Sequence, residues 1–128
     1  MSENSLFIED LTVTTIVKPD GGTDLQTITM EFAETSAGPI TVAGFPTKGS
    51  FTVYVSATNG RQAATFFVSR ASAASAGGVN RLAHSQAAGV TATIGATWGA
   101  SAAFSLTHNP VDGAGPATTY TVAWIGAS

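Results

Sequence analysis

Apolar and polar residues alternate along most of this chain with a period of two. Ile28, Met30 and Phe32 alternate with Thr27, Thr29 and Glu31, and Phe51, Val53 and Val55 alternate with Thr52, Tyr54 and Ser56. Successive residues of a strand point to opposite faces, so each run predicts a strand with one buried face. The same reading applies to Leu11–Ile16, Ile40–Val42, "AATFFVSR" at 63–70, Val79–Leu82, Val90–Ile94, residues 101–108 and "TTYTVAWI" at 118–125. Phe66 and Val68 fall on one face of their strand, and Phe67 and Ser69 on the other. Turn residues separate the runs: "KPDGG" at 18–22, "SAGP" at 36–39, "GFPTKGS" at 44–50, "TNG" at 58–60 and "NPVDGAGP" at 109–116. Asn59-Gly60 is a strong hairpin signal because both residues tolerate positive φ. "ASAASAGG" at 71–78 predicts an irregular loop, since Ser and Gly compete against helix.

About eight short strands at a spacing of about ten residues predict an all-β chain, an antiparallel β-sandwich. Its 128 residues form one domain, 1–128. The inward positions predict a core containing Phe32, Phe51, Val53, Val55, Phe66, Val68, Val122 and Trp124.

Charge adds a second pattern. Only 10% of residues are charged, against about 25% in an average soluble domain. Residues 1–34 hold seven carboxylates against Lys18, a net of −6, and residues 35–128 hold four cations against Asp112, a net of +3. The acidic N-terminal arm, with Glu9, Asp10, Glu31 and Glu34, is expected to meet basic positions such as Arg61, Arg70 or Arg81, in the same chain or a neighbour. A net charge of −3 argues against general nucleic-acid binding. The sequence predicts no signal peptide and no membrane span.

Chemistry is sparse. There is no cysteine. His84 and His108 are the two histidines, and no G-x-S-x-G elbow accompanies them. The acids around 20–24 do not follow the EF-hand pattern. The reading is of a chain without catalytic residues, metal or cofactor. Trp98, beside the "WGAS" turn, is the aromatic expected to be exposed, where a ring can stack on a sugar.

Arg70 and Arg81 flank the side-chain-poor loop 71–78. Either its small residues let backbones approach closely at an interface while the arginines reach carboxylates, or the loop is simply exposed.

With the strands in place, "ATFFVSR", the small loop, "GGVNRLAHS", Trp98, "SLTH" and "TYTVAWI" resemble the small β-domains at the surface of tailed-phage virions, namely head-decoration or cement proteins and tail-fibre tips. The likeness covers roughly residues 50–128. It implies a jelly-roll-like sandwich, a homotrimer, the major capsid protein or other virion proteins as partners, a position on the virion surface and, for a fibre tip, a host surface glycan. No fibre shaft is visible, because the chain has neither heptads nor a Gly triplet repeat. A chain with its own Met1 and no shaft fits a decoration protein better than a fibre tip. An unrelated carbohydrate-binding sandwich is the third alternative.

Self-assembly is directly measurable. Light scattering of the purified chain should give a mass above the 12.9 kDa of a monomer. High salt should leave the assembly intact, because exposed ion pairs contribute only about 0–1 kcal/mol each.

Overall fold

The computed structural model describes residues 25–32, 38–90, 93–109 and 118–128. The predicted strand at 11–16 lies outside the described residues, as do Glu9, Asp10 and Glu34. Among the described residues there are eight strands: β1 Gln26–Phe32, β2 Ile40–Thr41, β3 Gly49–Ala57, β4 Gln62–Arg70, β5 Gly78–Gln86, β6 Thr93–Thr97, β7 Ser105–Asn109 and β8 Thr118–Ala127. They form a five-stranded sheet, ordered β1-β8-β3-β4-β5, and a three-stranded sheet, ordered β2-β7-β6. All pairings are antiparallel. The fold is the expected all-β sandwich. Strands β3, β4 and β5 run through the large sheet as an antiparallel meander.

Alternation makes the core. All eight residues expected inside are buried. So are Val42, Ile94, Trp98, Phe104, Leu106 and Tyr120. Phe45, in the segment read only as a break, is the hub of an aromatic cluster. Its ring centroid lies 4.3 Å from Phe104, 5.0 Å from Trp124, 5.2 Å from Phe51 and 5.3 Å from Trp98. Trp98 is therefore not the exposed aromatic expected from its turn; it is 3% exposed. The chain leaves β6 at Thr97 and folds Trp98 back under the mouth of the sandwich, where aromatic packing outweighs the local turn signal. The indole N–H groups of Trp98 and Trp124 have no hydrogen-bond acceptor among the described residues.

Arg70 corrects a second expectation. It is buried, and its partners are backbone carbonyls rather than carboxylates. Nε and Nη2 donate to Thr47 O at 2.8 and 2.6 Å, and Nη1 donates to Gly99 O and Ala102 O at 2.9 and 2.6 Å. The guanidinium also lies 4.6 Å over the Trp98 ring. A planar fork of five donors suits three loop carbonyls that no strand pairs. Residues 101–104, expected to begin a strand, lie outside β7, and the turn Gly99–Ala102 presents two of these carbonyls. Ser101 has φ 57°, and Ala102 N donates to Gly99 O at 3.2 Å.

The loop 71–77 packs on this same segment. Gly77 N donates to Trp98 O at 2.7 Å, and Ser101 N donates to Ala73 O at 3.1 Å. A Cβ on Gly77 would lie 3.0 Å from the Trp98 side chain. The loop is otherwise mostly exposed, and its close backbone approach is to this segment of its own chain.

Two substitutions test the packing. Trp124→Ala should cost about 3–5 kcal/mol in denaturant unfolding; a cost near zero would mean that the inner face has been misassigned. Gly126→Ala should cost at least about 1–3 kcal/mol, because its Cβ would lie 2.1 Å from Ser50 O on the neighbouring strand. Wild-type stability in that variant would contradict the β3–β8 register.

Candidate functional site: an uncharged sheet face and a buried polar chain

Two features stand out, one outside the sandwich and one within it. The outer one follows from strand pairing. On the face of the large sheet turned away from the core, the residues fall into cross-strand rows. One row is Ala127–Ser50–Ser69–Gly78, and the next is Ile125–Thr52–Phe67–Asn80. Then come Thr27–Ala123–Tyr54–Thr65–Ala83 and Thr29–Thr121–Ser56–Ala63–Ser85. These rows contain no charged residue. Glu31, opposite Thr119 on β1, is charged and sits at the margin.

Two aromatic rings stand on this surface. Phe67 is 57% exposed and Tyr54 is 47% exposed. Thr52 pairs with Phe67 and Tyr54 pairs with Thr65, so the rings are diagonal neighbours across β3 and β4. Beside Phe67 is an open hollow of about 220 Å³ lined by Ser50, Val68, Ser69 and Gly78. Serine and glycine leave it open, because a larger side chain in that row would fill it. The structure thus exchanges the expected platform residue: Trp98 is inside, while Phe67 and Tyr54 are outside.

The second feature is a chain of hydrogen bonds through one mouth of the sandwich. His84 Nε2 meets Gln62 Oε1 at 2.9 Å, Gln62 Nε2 donates to Tyr120 OH at 2.9 Å, and Tyr120 OH meets His108 Nδ1. Donor counting sets the direction. The Gln62 amide nitrogen only donates, so the phenol oxygen accepts from it, and in the tautomer with Nδ1 unprotonated the phenol O–H donates to His108 Nδ1. The Gln62 carbonyl oxygen accepts from His84 Nε2–H. The chain runs from β5 through β4 and β8 to β7, and so ties the two sheets together. Small Ala57, the β3 partner of Tyr120, lies between Gln62 and Tyr120 and lets them meet. The Phe32 ring packs against both Tyr120 and His108.

Both histidines titrate below the ordinary imidazole value. Burial lowers the pKa of His108, with a further lowering from the positive charge of Arg61. His84 is lowered by burial and by Arg81. Burial raises Tyr120, opposed by the Gln62 hydrogen bond and Arg61. The polar chain fastens the two sheets to one another, with Tyr120 and Gln62 each occupying one nitrogen of an imidazole. Among the described residues, no group of three or more His, Cys, Asp or Glu is placed to hold a metal ion.

The other expected site residues are scattered. Arg61 follows the β3–β4 turn, and its backbone N–H donates to Asn59 Oδ1 at 3.0 Å. Of the expected partners of Arg81, Glu9, Asp10 and Glu34 lie outside the described residues; Arg81 itself lies on the edge strand β5, where Nη1 donates to Ile94 O of the other sheet at 3.2 Å. The cause is a β-bulge. Thr65 pairs with Ala83 and Phe66 with Arg81, leaving Leu82 as the extra residue. Arg81 and His84 thereby share the inner face of β5, although simple alternation puts them on opposite faces.

Two measurements address the polar chain. Tyr120→Phe should cost about 1–3 kcal/mol, because it leaves Gln62 Nε2 and His108 Nδ1 unpaired; a neutral effect would dissolve the chain. Acid should weaken the fold. Both histidines titrate lower folded than unfolded, so near and below about pH 6.5 the unfolded state binds more protons. Their contribution to stability is present above that pH and is lost as the pH falls through the folded values. Melting temperature should drop between pH 7.5 and 5, and His108→Gln, which keeps an acceptor for Tyr120, should reduce the drop. An undiminished drop in that variant would show that other groups cause it. No protein-family model, curated protein or solved structure matches this chain.

Proposed function

We propose that this chain is a non-enzymatic surface protein of a tailed-phage virion, a decoration or cement protein that binds and stabilises the head. The observation that carries a binding role is the outer face of the large sheet, exposed, almost uncharged and studded with Phe67 and Tyr54. Exposed aromatics at the centre of a sheet forgo burial that a purely scaffolding face would not give up. The virion setting comes from the resemblance carried by residues 50–128. Sheet order separates two regions of the face: acidic Glu31 is on β1 at one edge, and Phe67 is on β4 beside the opposite edge strand. The proposal assigns head contact to the acidic edge and display to the Phe67 side. A homotrimer is the form that the resemblance implies.

The second reading is the receptor-binding tip of a tail fibre. The hollow beside Phe67, with the two hydroxyl-bearing residues Ser50 and Ser69 in its lining, favours it. Copy number separates the two. Quantitative mass spectrometry of the purified particle should give a stoichiometry comparable to the major capsid protein for decoration; a stoichiometry comparable to the tail fibres would replace the first reading with the second. On particles stripped of this chain, Glu31→Lys should rebind less well than the wild type, and the deficit should shrink as salt rises. Equal rebinding would remove the acidic edge from the contact.

A further inference from the structure

We propose that the hollow beside Phe67 binds one ring of a neutral sugar. Phe67 stacks on the apolar C–H face of the pyranose, and the side chains of Ser50, Ser69 and Asn80 hydrogen-bond its hydroxyls.

Thr52 and Asn80 flank Phe67 across the strands, and Ser50, Ser69 and Gly78 form the next row. An aromatic ring with hydroxyls and an amide at its edge suits a ligand that has both an apolar face and many hydroxyls. Ser hydroxyls donate and accept, as sugar hydroxyls do. The absence of charge from these rows selects a neutral ligand, since a carboxylate or phosphate would lose its hydration without gaining a cation.

Size points the same way. The hollow is about 220 Å³, below the roughly 300–1,000 Å³ of sites for drug-sized molecules and suited to a single ring. A second copy of the chain is the poorer occupant. Taking about 200 Å² for each whole aromatic side chain, the exposed parts of Phe67 and Tyr54 supply only about 200 Å² of apolar surface together. A standard interface takes about 800 Å² from each partner.

The site is held ready. Phe67 sits within β4, hydrogen-bonded between β3 and β5. The adjacent residues Phe66 and Val68 are locked into the core. Little ordering remains to be done on binding, which lowers its entropic cost.

The inference rests on the binding role proposed for this face, and not on where the chain sits in the particle. Its test is an NMR titration of the full chain with methyl glucoside, methyl galactoside and N-acetylglucosamine, with glucuronate as the charged comparison. At least one neutral sugar should shift the resonances of Ser50, Thr52, Phe67, Ser69, Gly78 and Asn80, and glucuronate should bind more weakly than that sugar. Phe67→Ala should weaken binding about ten-fold or more, and Phe67→Trp should retain it. Both variants should melt near the wild-type temperature, because position 67 lies outside the core. Phe67→Ala should also rebind to stripped particles like the wild type. Three results would each overturn the inference: no shifts with any neutral sugar at tens of millimolar, shifts centred elsewhere, or an assembly that Phe67→Ala dissociates. Failure of particle rebinding in Phe67→Ala would make the ring a head contact and overturn it as well.

Discussion

Phe66 and Phe67 are neighbours in one β-strand, so a sandwich cannot bury both. The pleat sends successive side chains to opposite faces, and only one face of the large sheet is covered by a second sheet. Burying Phe66 therefore commits Phe67 to the surface. The same parity commits Tyr54 once Val53 and Val55 are inside. Each exposed aromatic forfeits an apolar burial of about 2–3 kcal/mol, which the core recovers through Phe51, Phe66, Val122 and Trp124. A one-residue slip would expose that whole inner set, so the register is strongly fixed. The outer face inherits its composition from the same rule: with every large apolar residue of β3 turned inward, its outward partners are Ser50, Thr52, Tyr54 and Ser56.

The inner row of β4 shows how the ends are closed. It reads Gln62, Ala64, Phe66, Val68, Arg70, all buried. The middle of the row is apolar, and each end carries a polar side chain with its partners supplied. At one mouth Gln62 joins His84, Tyr120 and His108 in a chain that crosses between the sheets. At the other, Arg70 gathers carbonyls from two loops and lies over Trp98. Buried polar groups are costly unless paired. Here the pairing also fixes geometry, because each polar side chain draws together segments far apart in sequence. A small domain with few charges thereby closes both mouths with two directed polar sets.

Much of this was legible in the sequence. Period-two alternation identified β1, β3, β4 and β8 and the eight core residues drawn from them. It was less informative where alternation stops. Phe45 and Trp98 lie in turns, where spacing carries no facing information, and both entered the aromatic cluster. The bulge at Leu82 reversed parity along β5 and brought Arg81 and His84 to one face, which no count of residues from Val79 reveals. Arg70 was noticed for its position but given the wrong kind of partner, because orphan carbonyls of irregular loops leave no mark on residue type. The exposed pair was readable in principle: Tyr54 falls among the polar positions of its strand, and Phe67 falls on the side of Ser69. Sequence parity puts both outside, while hydrophobicity alone argues for both inside.

The central claim is that pleat parity displays Phe67 and Tyr54 on an open face while their chain neighbours stay sealed. Hydroxyl-radical footprinting of the free chain, read by mass spectrometry at single residues, tests it most directly. Phe67 and Tyr54 should be oxidised far faster than Phe66, Phe51, Trp98 and Trp124, despite the high intrinsic reactivity of tryptophan. Protection of Phe67 together with rapid oxidation of Phe66 or Trp98 would contradict the register, and with it the face on which the functional reading depends.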